Sequence, residues 1–125
     1  MAWESPQTRV TGLNAAADLS TTGQFRFVDV TGDQAVNLTG AAGKAIGVLQ
    51  NKPVSGAPAT IYGVGSVSKV AASAAIAAGA KIGSAASGKA RTAASAEVTL
   101  GVALEAAAAD DDLISVLLLP LGIEP

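Results

Sequence analysis

The chain has 125 residues, with eight Lys and Arg against ten Asp and Glu and a net charge of −2. That is one domain's worth of chain. With no Cys and no His, disulfides, thiolate chemistry, zinc fingers, imidazole catalysis and the Ser-His-Asp triad are excluded.

Residues 1–22 contain Pro6, Gly12 and Gly23 at their border, and Val10, Leu13 and Leu19 fit neither a 2.0 nor a 3.6 period. They read as an extended N-terminal arm, preceding a single β-rich domain over residues 23–125. Phe25 and Phe27 alternate within Gln24-Phe25-Arg26-Phe27-Val28, a strand signal on one face, and Thr31-Gly32-Asp33 marks a turn. Further short strands are predicted over 35–39 and 45–50, a Pro- and Gly-containing loop over 51–58, and a long strand over 59–70 bent at Gly63 and Gly65. Ala-rich residues 71–80 predict the one short helix, ended by Gly79 and dependent on Ile76 packing down. Strands are predicted at 81–83 and 88–91. Val98, Leu100, Val102 and Leu104 alternate as the buried face of a strand over 97–104, residues 106–112 form a loop, and 113–119 a final strand ended by Pro120. Short strands with Gly-rich turns indicate an all-β barrel or sandwich. Ala45 to Leu49 is echoed by Thr99 to Leu104, with Gly47 and Gly101 at matching positions. This pattern fits an internal duplication, and equally the reuse of one strand-loop-strand unit by a small β-protein. Two units make no solenoid.

No motif carries catalysis. Ser66-Val67-Ser68-Lys69 matches the Ser-x-x-Lys nucleophile pattern, but in a strand residues i and i+3 point to opposite faces. Gly63-Val64-Gly65 lacks the third glycine of a dinucleotide loop, and Gly43-Lys44 lacks the spacing and Ser/Thr of a phosphate loop. Asp110-Asp111-Asp112 reads as a solvated loop, since three consecutive carboxylates do not converge on one ion. Glu97 and Glu105 show no partner in the sequence. No cofactor and no metal site is predicted. Scattered Lys and Arg argue against nucleic acid, and no apolar run approaches the roughly 20 residues of a membrane helix, so a soluble protein without a secretory signal is expected. Trp3 stands alone in the arm. It either covers its own domain or anchors the arm on another chain.

Thr22-Gly23-Gln24-Phe25-Arg26-Phe27-Val28, Ile46-Gly47-Val48-Leu49-Gln50-Asn51-Lys52-Pro53, Gly65-Ser66-Val67-Ser68-Lys69-Val70, Ala74-Ala75-Ile76-Ala77-Ala78-Gly79 and Leu100-Gly101-Val102-Ala103-Leu104-Glu105 follow one another in an order that resembles the small capsid decoration, or cement, proteins of tailed bacteriophages and prophages. The resemblance spans about 100 residues and is weakest in the first 20. Ala80 follows Gly79 where the family pattern carries Asp, a departure that bears on that turn's charge and not on the fold. The resemblance implies a homotrimer bound to the major capsid protein on the outer surface of an icosahedral head, at or near three-fold positions, stabilising the shell. It further implies synthesis in the host cytoplasm and no enzymatic activity. Trp3, Arg9, Val10 and Leu13 of the arm are the expected contact residues. The alternatives are a head–tail connector or tail component, and a small carbohydrate-binding or hydrolytic β-barrel module. Against the latter stand the four scattered aromatics.

Overall fold

The computed structural model describes residues 2–124. Ten strands form two units of five: β1 (Arg9–Ala15), β2 (Phe27–Gly32), β3 (Ala35–Leu38), β4 (Gly47–Leu49) and β5 (Pro58–Tyr62), then β6 (Val67–Ala71), β7 (Lys81–Ser84), β8 (Ala90–Thr92), β9 (Gly101–Ala103) and β10 (Leu113–Leu118). The first unit is a closed barrel of order β1-β3-β2-β4-β5, and the second is a sheet of order β6-β10-β9-β7-β8. The all-β expectation is met.

The two units repeat one another pair by pair. Val28↔Leu38, Asp29↔Asn37 and Val30↔Val36 recur 54 residues later as Ile82↔Thr92, Gly83↔Arg91 and Ser84↔Ala90. Phe27↔Val48 and Val28↔Gly47 recur as Lys81↔Val102 and Ile82↔Gly101. The parallel pairing Ala15↔Val36 that closes the barrel has its counterpart in a single parallel bridge, Ala72↔Ala90. Even the left-handed turn residues match: Phe25 with Gly79, Gln34 with Gly88, Ala42 with Ala96. The echo of Gly47 in Gly101 is therefore a structural repeat. A Cβ on Gly47 would lie 2.2 Å from the Tyr62 carbonyl oxygen, and one on Gly101 would lie 2.4 Å from that of Leu117. Each β4-type strand starts where its neighbour's backbone leaves no room for a side chain.

Five expectations are corrected. The long strand over 59–70 is two strands in different units, β5 and β6, parted where Gly63 and Gly65 predict a bend. Residues 71–80 form no helix: Ala71 ends β6, Ala72 and Ile76 make isolated bridges, and Gly79 occupies a left-handed turn. Ile76 is buried in the second core, so its packing is realised in extended chain, where small Ala side chains allow close approach. Among the described residues the one helical element is a 3-10 turn, Ala86–Gly88. The arm is extended but not separate, because its residues 9–15 are β1, paired with β3 and β5 inside the barrel. A bulge between Val10 and Leu13, with Gly12 at φ +98°, shifts the alternation so that both residues pack on the first core. The predicted boundary at residue 22 thus falls within the first unit.

Phe25 lies outside β2 at φ +62°, and Phe27 alone of the two joins a core. Lastly, the strand over 97–104 is turned over. Glu97, Thr99, Gly101 and Ala103 are buried, Val98, Leu100 and Val102 are half-buried, and Leu104 is exposed.

The first core gathers Leu19, Val28, Val36, Leu49 and Ile61; the second gathers their counterparts Ile76, Ile82, Ala90, Ala103 and Val116. Phe27 and Val48 of the first unit pack into the second cluster, joining the two units. The second core has Ala where the first has Val36 and Leu49, and the bulky Phe27 ring adds apolar volume from outside.

Candidate binding surface

The turned-over strand creates an apolar exposed face. Val102 lies directly opposite Leu117 on the outward side of β9 and β10. By the period of two, Leu104 and Leu113 share that side, 38% and 45% exposed. Beside it, the chain after β10 runs along residues 97–100, held by Val98↔Ile123 and by Thr99 N–H donating to the Gly122 carbonyl. This tail leaves Leu119, Leu121 and Ile123 exposed. A shallow groove at the junction of the two units, lined by Phe27, Ile46, Val64, Val98, Leu100 and Pro120 among others, has no charged side chain in its wall. Contiguous exposed aliphatics of this kind mark interaction surfaces.

Trp3 sits at the edge of the same face. Its backbone N–H donates to Ser115 Oγ at 2.6 Å, and the Ser115 hydroxyl lies 3.0 Å from the Trp3 carbonyl oxygen. Ser115 is fully buried under this contact, while Trp3 remains 47% exposed. The next anchors are Ser5, bridged to Val67, and the buried Ser66, whose Oγ accepts from Gln7 N–H (2.9 Å) and Thr8 N–H (3.0 Å). Two serines of the second unit therefore hold the N-terminal segment by its backbone. Nothing in the apolar pattern signals this, because the donors are main-chain groups.

The predicted contact residues separate. Trp3 lies on the exposed face. Arg9 is exposed over the Tyr62 ring at 5.7 Å, and Val10 and Leu13 turn their apolar surface to the barrel core. The Ser-x-x-Lys pattern dissolves: Ser66 is engaged by Gln7 and Thr8, and Lys69 lies over the Phe25 ring at 5.6 Å.

The acidic residues prove to be fasteners. Lys89 Nζ lies 2.9 Å from Asp110 and 2.7 Å from Asp111, and the Asp111 carboxyl is held below its ordinary pKa chiefly by Lys89. Asp112 caps the N–H groups of Ala108 and Ala109. Buried Glu97, which the sequence leaves unpartnered, pairs with Arg91. Glu105 accepts from Ser115 N–H at 2.9 Å, and this bond lowers its carboxyl's pKa. Among the described residues no group of three or more His, Cys, Asp or Glu is arranged to hold a metal ion, and no helix is long and apolar enough to cross a membrane.

Residues 11–118 match the sequence model of a family described as phage cement protein. No curated protein matches the chain. Among solved structures, the chain is similar to the N base of head fiber gp8.5 in bacteriophage phi29. The TM-score is 0.71 at 16% identity, over 89% of this chain and 92% of that one.

Proposed function

The chain belongs to the phage cement protein family, and on that premise we propose that it is a homotrimer on the outer surface of an icosahedral head, at or near three-fold positions. A structural, capsid-associated role is what the family carries. The finer reading makes the major capsid protein the partner and shell stabilisation the task, with the protein made in the host cytoplasm and having no enzymatic activity. The single observation behind it is the family match across both five-stranded units.

The physical logic is avidity. Three modest contacts carried by one rigid trimer act at high effective concentration, so each need contribute little. The exposed Trp3, Leu104 and Leu113, with the tail leucines, provide surface for contacts of this type. Heads prepared without the protein, then mixed with it and pelleted, test the reading. Co-sedimentation at a saturating ratio, with density at three-fold positions in negative stain and a raised temperature of DNA release, is the expected result. Heads that neither bind the protein nor gain heat resistance would refute it.

A further inference from the structure

We propose that the chain after β10, residues 119–124, is an open sheet edge on which an extended segment of the shell protein adds a strand. This rests on the capsid-bound reading above and gives it a mode of contact.

The tail is bonded along one side only. Glu124 N–H donates to the Glu97 carbonyl at 2.9 Å, and the Glu124 carbonyl accepts from Ala96 N–H at 2.7 Å. Thr99 N–H donates to the Gly122 carbonyl at 2.9 Å. These bonds flank the antiparallel bridge Val98↔Ile123. In such a ladder the residue between two bonded ones turns its own N–H and C=O to the opposite side. Ile123 is that residue, and among the described residues neither its backbone groups nor those of Leu121 have a partner. The edges of the second sheet are treated differently: β6 is covered at Val67 by Ser5, and β8 at Ala90 by Ala72. An edge meant to stay unpaired ordinarily carries charge, proline or a bulge of its own. Between Pro120 and Glu124 the tail reads Leu121-Gly122-Ile123, with none of these.

Free N–H and C=O groups at strand spacing select an extended polypeptide, because a purely apolar occupant would bury them unpaired. Leu121 and Ile123 are 43% and 67% exposed, so an added strand also finds apolar surface for its alternate side chains. A second copy pairing at the same edge makes a two-fold contact that closes at two chains, which does not build a three-fold set. The extended N-terminal segment of this chain is already held at Ser66 and Ser115. A segment of the shell protein, brought alongside by the other contacts of the bound protein, is the strand that fits. Main-chain bonds then supply affinity with little demand on the partner's sequence.

Ile123→Pro removes the outward N–H and spares the tail's own bonds, which use the Gly122 carbonyl and both groups of Glu124. Ile123→Thr keeps that N–H and trims the apolar side chain. Both are expected to melt close to wild type. In co-sedimentation with heads prepared without the protein, Ile123→Pro is expected to bind about tenfold more weakly, as when one hydrogen bond is lost and its acceptor stranded. Ile123→Thr is expected to lose less. Hydrogen exchange on the wild type reads the same groups without substitution: amides of residues 121–123 should exchange fast in the free protein and slowly on heads. Wild-type affinity in Ile123→Pro, a larger loss in Ile123→Thr, or exchange unchanged on heads overturns the strand addition and leaves the cement reading standing. Slowed exchange in the free protein together with a doubled mass gives the edge to a second copy and overturns the shell segment. Heads that do not bind the wild type remove both readings.

Discussion

The two five-stranded units share their pairing and differ in what surrounds them. The first closes through two parallel pairs, Asn14↔Ala35 and Ala15↔Val36, and buries its outward face under the second. The second closes through one bridge and carries on its outward side the N-terminal segment at Ser115 and the tail after β10. The inward residues are interchangeable aliphatics of varied size. The outward ones are not: Phe27 is matched by Lys81. In this chain the pattern of strand pairing specifies the unit, and the outward residues decide what each unit is packed against.

The sharpest test of that contrast is truncation at the matched outward positions. Phe27→Ala removes a fully buried ring shared by both units and is expected to cost about 3–5 kcal/mol in denaturant unfolding. Lys81→Ala, at the same place in the repeat, is expected to stay within about 0.5 kcal/mol. Similar costs at both positions would show that the units do not differ in this way.

A smaller effect tests the N-terminal strap that only the second unit holds. Ser66→Ala leaves Gln7 N–H and Thr8 N–H without their acceptor and is expected to cost about 1–3 kcal/mol. Earlier protease cleavage before residue 9 and red-shifted Trp3 fluorescence would accompany it. An unchanged cleavage rate would remove Ser66 from the strap.

The smallest effect is in acid. Glu105 and Asp111, both on the second unit, have carboxyls held below their ordinary pKa values, so each stabilises the fold while ionised. That contribution is present above the unfolded values near 4 and is lost as pH falls through the lower folded values. Fluorescence of Trp3, which reaches Glu105 through Ser115, is expected to shift red below about pH 4, reversibly. Glu105→Gln should abolish that dependence, and a shift that survives the substitution would assign it elsewhere.

Much of this architecture was legible in residue order. Turn residues punctuate nearly every strand, and the matched Gly47 and Gly101 announce the repeat. Its full extent was hidden because equivalent positions hold different residues, Val36 with Ala90 and Leu49 with Ala103. Alternation over 97–104 divided the two faces correctly but pointed the wrong one inward. Large residues ordinarily face the core, and here the core side lies against backbone at Gly101. The bulge at Gly12 erased the period of β1, and Ala-rich 71–80 mimicked a helix that tertiary pairing overrides. Of the candidate surface, Trp3 is visible in the sequence and its neighbours are not, because alternation places Leu104 on a buried face and Leu113 is simply the first residue of an apolar strand.

The repeat has a consequence for how the chain reaches its native state. Each strand has, some 54 residues away, a strand that is paired in the same way as its proper neighbour, so β5 and β10 are expected to compete for β1 and for β6 during folding. Non-native pairings of this sort are the characteristic kinetic traps of repeated sequences, and between chains they become strand exchange. The unequal pairs, Phe27 with Lys81 above all, act as discriminators: a mispaired β7 would carry an ammonium group into the joint between units, where only the ring belongs. On that account the asymmetry of the outward face is also a proofreading signal, read once, while the chain folds.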